Sequence, residues 1–237
     1  MRNNFLVPLF LGTLVLGATS VAFGTVIDFT GGTVTHWDAS TGTTNNSAVF
    51  QSVDYYTEGG FKLDFIDPVQ TTAFTSIVGD YYGAGNDVIH GHWATGVPKY
   101  GDLTGIEITK VGGGTFDLNY FILTSNTDTG GAAASGNEQT WIRGWLAGNP
   151  TGPAQLLPPD NWGFAGLNPQ IFLGSAFDVV DLVQFTVTNT VDCFGMDEFY
   201  INEPAPPVIP EPSTLIIWSL LASLGIGLAW WRRRRAA

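Results

Sequence analysis

Two histidines stand two apart in the run Val88-Ile89-His90-Gly91-His92-Trp93. On a β-strand, residues i and i+2 share a face, so both imidazoles can address one transition-metal ion. The spacing supplies no third ligand: Asp87 falls on the opposite face, and His36 is remote in sequence. The competing reading is a polar strand face beside Trp93. Calcium asks for a different set, about six to eight oxygens from carboxylates and carbonyls. Asp28 near the start of the domain, Glu58 in a loop and Asp197 near its end are placed to converge on such an ion. No DxDxDG loop accompanies them, and on so acidic a chain they read equally as solvated charges. Among the aromatics, Trp141 and Trp145 are four apart and share a face on a plain strand, a platform on which a sugar ring can stack. Packing between sheets is the alternative fate for them. Catalysis has no signature: there is no GxSxG, HExxH or phosphate loop, and Asp197 and Glu198 are strand neighbours that point apart. Cys193, the one cysteine, reads as a small buried hydrophobe.

The elements that must carry these residues lie in a very acidic middle. The chain has 237 residues, 21 of them acidic and 9 basic. Between residues 25 and 209 only Lys62, Lys99, Lys110 and Arg143 are basic, so this part is repelled by phosphate backbones. Nucleic-acid binding is excluded on that ground, and sites for anionic sugars are poor. A single cysteine excludes an internal disulfide framework. Glycine is abundant, and runs that favour helix are absent. The pattern predicts strands at 26–29, 49–56, 61–66, 88–93, 106–111, 115–124, 140–146, 180–188 and 197–201. Alternation is clear in Val183-Gln184-Phe185-Thr186-Val187-Thr188, one buried face and one wet face, as in an antiparallel sheet. The fold expected for residues 25–202 is all-β, an antiparallel jelly-roll-like β-sandwich. Residues 125–138 and 147–170 are the long loops, where binding sites on a sandwich usually lie.

The two ends differ from the middle. Arg2 and the apolar run 5–16, followed by small residues, predict a secretory signal peptide over 1–24, read by the Sec translocon and removed by signal peptidase. Residues 203–212 are proline-rich, an extended stiff linker. Residues 213–231 are free of charge and predict one C-terminal transmembrane helix, with Trp230 and Trp231 at its interface. Arg232, Arg233, Arg234 and Arg235 then hold the basic tail, 232–237, in the cytoplasm and leave the acidic domain on the far side of the membrane.

Pro210-Glu211-Pro212, then a short apolar helix, then an arginine cluster at the end, closely resembles the PEP-CTERM sorting signal of exported proteins in Gram-negative bacteria that make exopolysaccharide or biofilm. The resemblance implies that Pro210, Glu211 and Pro212 are the motif recognised by an exosortase-type membrane transpeptidase. It also implies that the helix is a transient anchor and Arg232–Arg235 a stop-transfer cluster. More weakly, Ile27-Asp28-Phe29 and Phe194-Gly195-Met196-Asp197-Glu198-Phe199 look like the opening and closing strands of carbohydrate-binding-module-like sandwiches, several of which hold a structural calcium. The expected function is non-catalytic: an exported surface or extracellular-matrix protein with a structural or binding role. The alternatives are a lectin-like module that binds a neutral polysaccharide, and a sandwich enzyme that acts on exopolysaccharide. No cofactor is required beyond the calcium that this second likeness suggests.

Overall fold

The computed structural model describes residues 24–165 and 168–202. The expected signal segment up to residue 23, the linker, the apolar run and the arginine cluster lie outside the described residues. Among the described residues no helix is long and apolar enough to cross a membrane.

Sixteen strands run through the described residues. They are β1 (Thr25–Ile27), β2 (Thr33–His36), β3 (Thr41–Thr43), β4 (Val49–Gln51), β5 (Val53–Glu58), β6 (Phe61–Ile66), β7 (Ser76–Gly79) and β8 (Val88–His92). After them come β9 (Gly105–Lys110), β10 (Leu118–Thr127), β11 (Thr140–Leu146), β12 (Asn149–Pro150), β13 (Gln155–Leu156), β14 (Gln170–Phe172), β15 (Leu182–Val187) and β16 (Cys193–Ile201). One sheet has the order β14-β10-β16-β8-β7-β4, with β1 also pairing β16. The other has the order β12-β11-β15-β9-β6-β5-β2-β3, with β13 also pairing β11. All strand pairs are antiparallel. From β9 onward the chain crosses repeatedly between the sheets, with β10, β14 and β16 in the first and β9, β11 and β15 in the second.

The alternation seen in sequence becomes the packing of the sandwich. Val183 and Phe185 of β15 are fully buried, while the alternate residues Gln184 and Thr186 are half-buried. Phe185 meets Phe121 of β10 and Phe194 and Phe199 of β16 in the facing sheet, at ring separations of 5.5, 5.3 and 6.4 Å. The aromatic contacts continue from Phe199 to Phe29 at 5.6 Å and from Phe194 to Trp93 at 5.8 Å. Apolar area removed from water at about 25 cal/mol per Å² makes these rings the main stabilising contacts between the layers.

Four local features depart from the strand pattern read in sequence. The expected strand 49–56 is two strands in different sheets. Ser52 adopts φ +56° between β4 and β5, and the chain turns a corner there. The expected strand 115–124 is shifted to Leu118–Thr127. The loop 147–170 contains the short strands β12 and β13 and ends in β14. The last strand begins four residues before Asp197, at Cys193. Within it Glu198 has φ +30°, and two residues of β16 face one of β10. This bulge resets the alternation. Phe194 and Met196 point into the core before it, Phe199 and Ile201 after it. Cys193, Gly195 and Asp197 are thereby left on the outer face.

Candidate functional site

The densest cluster of chemically capable side chains lies on that outer face, where β8 and β16 pair. The register sets Cys193 opposite His92 and Gly195 opposite His90. One ligating atom each from His90, His92 and Cys193 lie within 4.8 Å of one another, and all three residues are buried. The strand spacing that places both imidazoles on one face was legible in sequence. The third member was not, because it comes from a strand 101 residues away.

Each side chain has partners that fix it. His90 Nδ1 is 2.8 Å from the Tyr82 hydroxyl, and Tyr81 packs on the same ring at 4.6 Å. His90 Nε2 is buried and has no hydrogen-bond partner. His92 Nδ1 lies 3.2 Å from Asp192 Oδ1 and 3.5 Å from Cys193 Sγ. Asp192 Oδ2 accepts from the Gly130 amide at 3.0 Å and from the Cys193 thiol at 3.3 Å. Burial, and then His92, hold the His90 imidazole well below its ordinary pKa, so it is neutral. Burial, then the Asp192 charge, push the Cys193 thiol up.

Two glycines make room for this arrangement. A Cβ on Gly195 would stand 2.4 Å from the Tyr82 hydroxyl and 3.2 Å from His90 Nδ1. A Cβ on Gly130 would stand 3.1 Å from both Asp192 Oδ2 and Cys193 Sγ. Beside the cluster a cavity of about 300 Å³ opens to the surface, lined by His92 together with Phe74, Tyr81, Tyr100 and Trp162.

The geometry does not suit nucleophilic catalysis. In a Cys-His-Asp relay the thiol and the carboxylate address opposite nitrogens of the ring. Here both meet Nδ1 of His92. A thiol whose pKa is raised is also a poor nucleophile.

The three acids expected to converge are placed apart from this cluster. Glu58 accepts from the Tyr56 hydroxyl at 2.8 Å and from the Asp28 amide at 3.4 Å. Asp197 accepts from Asn86 Nδ2 and from the Glu198 amide, each at 2.8 Å. The Asp28 charge contributes to raising both Glu58 and Asp197, behind the larger effect of burial. With protein donors already on the Glu58 and Asp197 oxygens, the donor set is a poor fit to a calcium ion, and no role is derived through one. Asp197 and Glu198 do not face one another as an acid/base pair: Asp197 takes the Glu198 amide, and the Glu198 carboxylate accepts from the Tyr200 hydroxyl.

Trp141 and Trp145 lie on one face of β11 as the spacing predicts, half-buried on the outside of the second sheet rather than between sheets. Trp141 donates from Nε1 to Thr188 at 2.9 Å. It walls a groove of about 460 Å³ with Arg143, Pro153, Gln184 and Thr186. The Arg143 guanidinium sits 5.8 Å over the Trp145 ring.

No family model, curated protein or solved structure matches the chain.

Proposed function

We propose that this is an exported β-sandwich protein, sorted through its C-terminal tail to the cell surface or extracellular matrix, where it has a non-catalytic structural or binding role. The observation that carries the reading is the order of the tail. Pro210-Glu211-Pro212, the uncharged run 213–231 and Arg232–Arg235 follow one another directly after the domain. The last strand of the sandwich ends at Ile201, close before the proline-rich stretch in sequence. Five prolines between 204 and 212 remove backbone donors and leave an extended strand that a transpeptidase can grip. Signal peptidase and the Sec machinery act at the other end. The jelly-roll-like connectivity belongs to the same reading, supported by the repeated crossing of the chain from sheet to sheet.

The test is a variant with Pro210, Glu211 and Pro212 all replaced by alanine, expressed in the native host. The reading predicts that the variant accumulates in the inner-membrane fraction with its tail intact, while the parent is processed and leaves that fraction. Equal processing of the two contradicts it.

One observation favours a second reading, a module that binds neutral polysaccharide. The outer groove beside Trp141 combines an indole wall with Arg143, Gln184 and Thr186, a mixture of apolar face and polar edges that suits a sugar ring. It adds a ligand to the sorting reading without replacing it. An enzyme acting on exopolysaccharide would need an acid pair, or a His/Tyr/Lys group, converging in a groove; the residues lining the groove beside Trp141 include no carboxylate.

A further inference from the structure

We propose that His90, His92 and Cys193 form a binding site for one borderline-soft transition-metal ion of the zinc(II) class. The inference rests on the domain alone and is independent of how the chain is sorted.

The donor set decides the class of ion. Two imidazole nitrogens and one thiolate suit zinc and its d-block neighbours, and they do not suit calcium or magnesium, which take oxygen. Bond lengths of about 2.0–2.1 Å to nitrogen and about 2.3 Å to sulfur hold tetrahedral ligands roughly 3.5 Å apart. The three donor atoms lie within 4.8 Å of one another, so side-chain rotation that closes them by about 1 Å completes the site.

A second observation points to a ligand here. His90 Nε2 is buried and unpartnered, although nearly all buried polar atoms in folded proteins are paired. A metal on that nitrogen accounts for it. The opposite nitrogen, Nδ1, then carries the proton and donates to the Tyr82 hydroxyl 2.8 Å away. With His92 ligating through Nε2, the Asp192 carboxylate 3.2 Å from its Nδ1 supplies the outer hydrogen bond that commonly orients a ligating histidine. Gly195 and Gly130 leave the space that Tyr82 and Asp192 need to approach. On binding, the Cys193 S–H bond breaks, its proton leaves to solvent and a sulfur–metal bond forms. The aromatic-lined cavity next to His92 gives the ion a way in from the surface.

The full chain, purified in detergent and stripped of metal, is titrated with cobalt(II) as a spectroscopic probe, both as isolated and after refolding with the ion. The expected result is one equivalent of cobalt bound, with a thiolate-to-metal absorption band displaced by one equivalent of zinc. Cys193→Ser is expected to abolish that band, and His90→Gln to weaken binding at least tenfold. A second readout needs no variant. Cys193 is the single cysteine, so its alkylation rate reports the site directly. Zinc is expected to slow it at least tenfold, and calcium to leave it unchanged. The proposal is overturned if no cobalt band appears under either protocol, if the band survives Cys193→Ser, or if zinc leaves the alkylation rate unchanged.

Discussion

Single side chains in this domain carry charge where burial makes charge costly. Glu58 is pushed up to about 7 by burial and then by the Asp28 charge, despite the Tyr56 hydroxyl bond that opposes this. Asp197 is pushed up to about 6, chiefly by burial. A carboxyl whose folded pKa lies above its unfolded value binds more protons folded than unfolded. Stability is then full below the unfolded pKa and falls as pH rises toward the folded one. These two groups therefore predict that the melting temperature declines between about pH 4 and pH 7. Glu58→Gln keeps an acceptor for Tyr56 and removes the titration. It is expected to raise the melting temperature at pH 7.5 by about 2–4 °C, the shift that about 1 kcal/mol makes in a domain of this size. At pH 4 it should change little. Thermal melts followed by circular dichroism at the two pH values check this; an equal effect at both contradicts it. At this scale the sequence was informative about His90 and His92, whose two-residue spacing is a local property of a strand. It was silent about Cys193 and Asp192. Their partnership with His92 depends on which strands pair and in what register, and no pattern near either residue encodes that.

Elements show the same division. Strands at 61–66 and 140–146 are read from sequence with the bounds they adopt, and burial alternates along both. The strand Ser76–Gly79 was not read at all: its four residues are all buried, so it has no alternation to see. The bulge at Glu198 hid the start of the last strand in a related way. It switches the core face from Phe194 and Met196 to Phe199 and Ile201, which breaks the period of two across the whole element. Where alternation is regular it also predicts a surface. The outer faces of β11 and β15 bring Trp141, Arg143, Gln184 and Thr186 together in one groove. If that groove takes neutral polysaccharide, the parent chain should be retarded in affinity electrophoresis through a neutral glucan or galactomannan gel. Trp141→Ala should lose most of that retardation while its melting temperature stays within a few degrees of the parent. Retardation equal in the two proteins contradicts a sugar site on this face.

For the whole molecule, composition and the order of segments carry more than any one residue does. The acidic middle, the glycine content and the turn clusters pointed to a sandwich, and the described residues form two antiparallel sheets around a single aromatic-rich core. The connectivity was beyond reach of the sequence, since the sixteen strands include several of two or three residues whose identity comes from their neighbours rather than from their own pattern. Destination is a different kind of signal, because export and anchoring depend on linear features that act before or after folding. The central claim is that this sandwich is cut free of its apolar tail after export. The intact mass of the protein recovered from its host, in membrane and extracellular fractions, tests it most directly. The account predicts a mass lacking the residues up to about Gly24 and those beyond about Pro212. A membrane-bound mass that retains residues 215–235 would contradict it, and would make the chain a single-span protein with its domain held at the inner membrane.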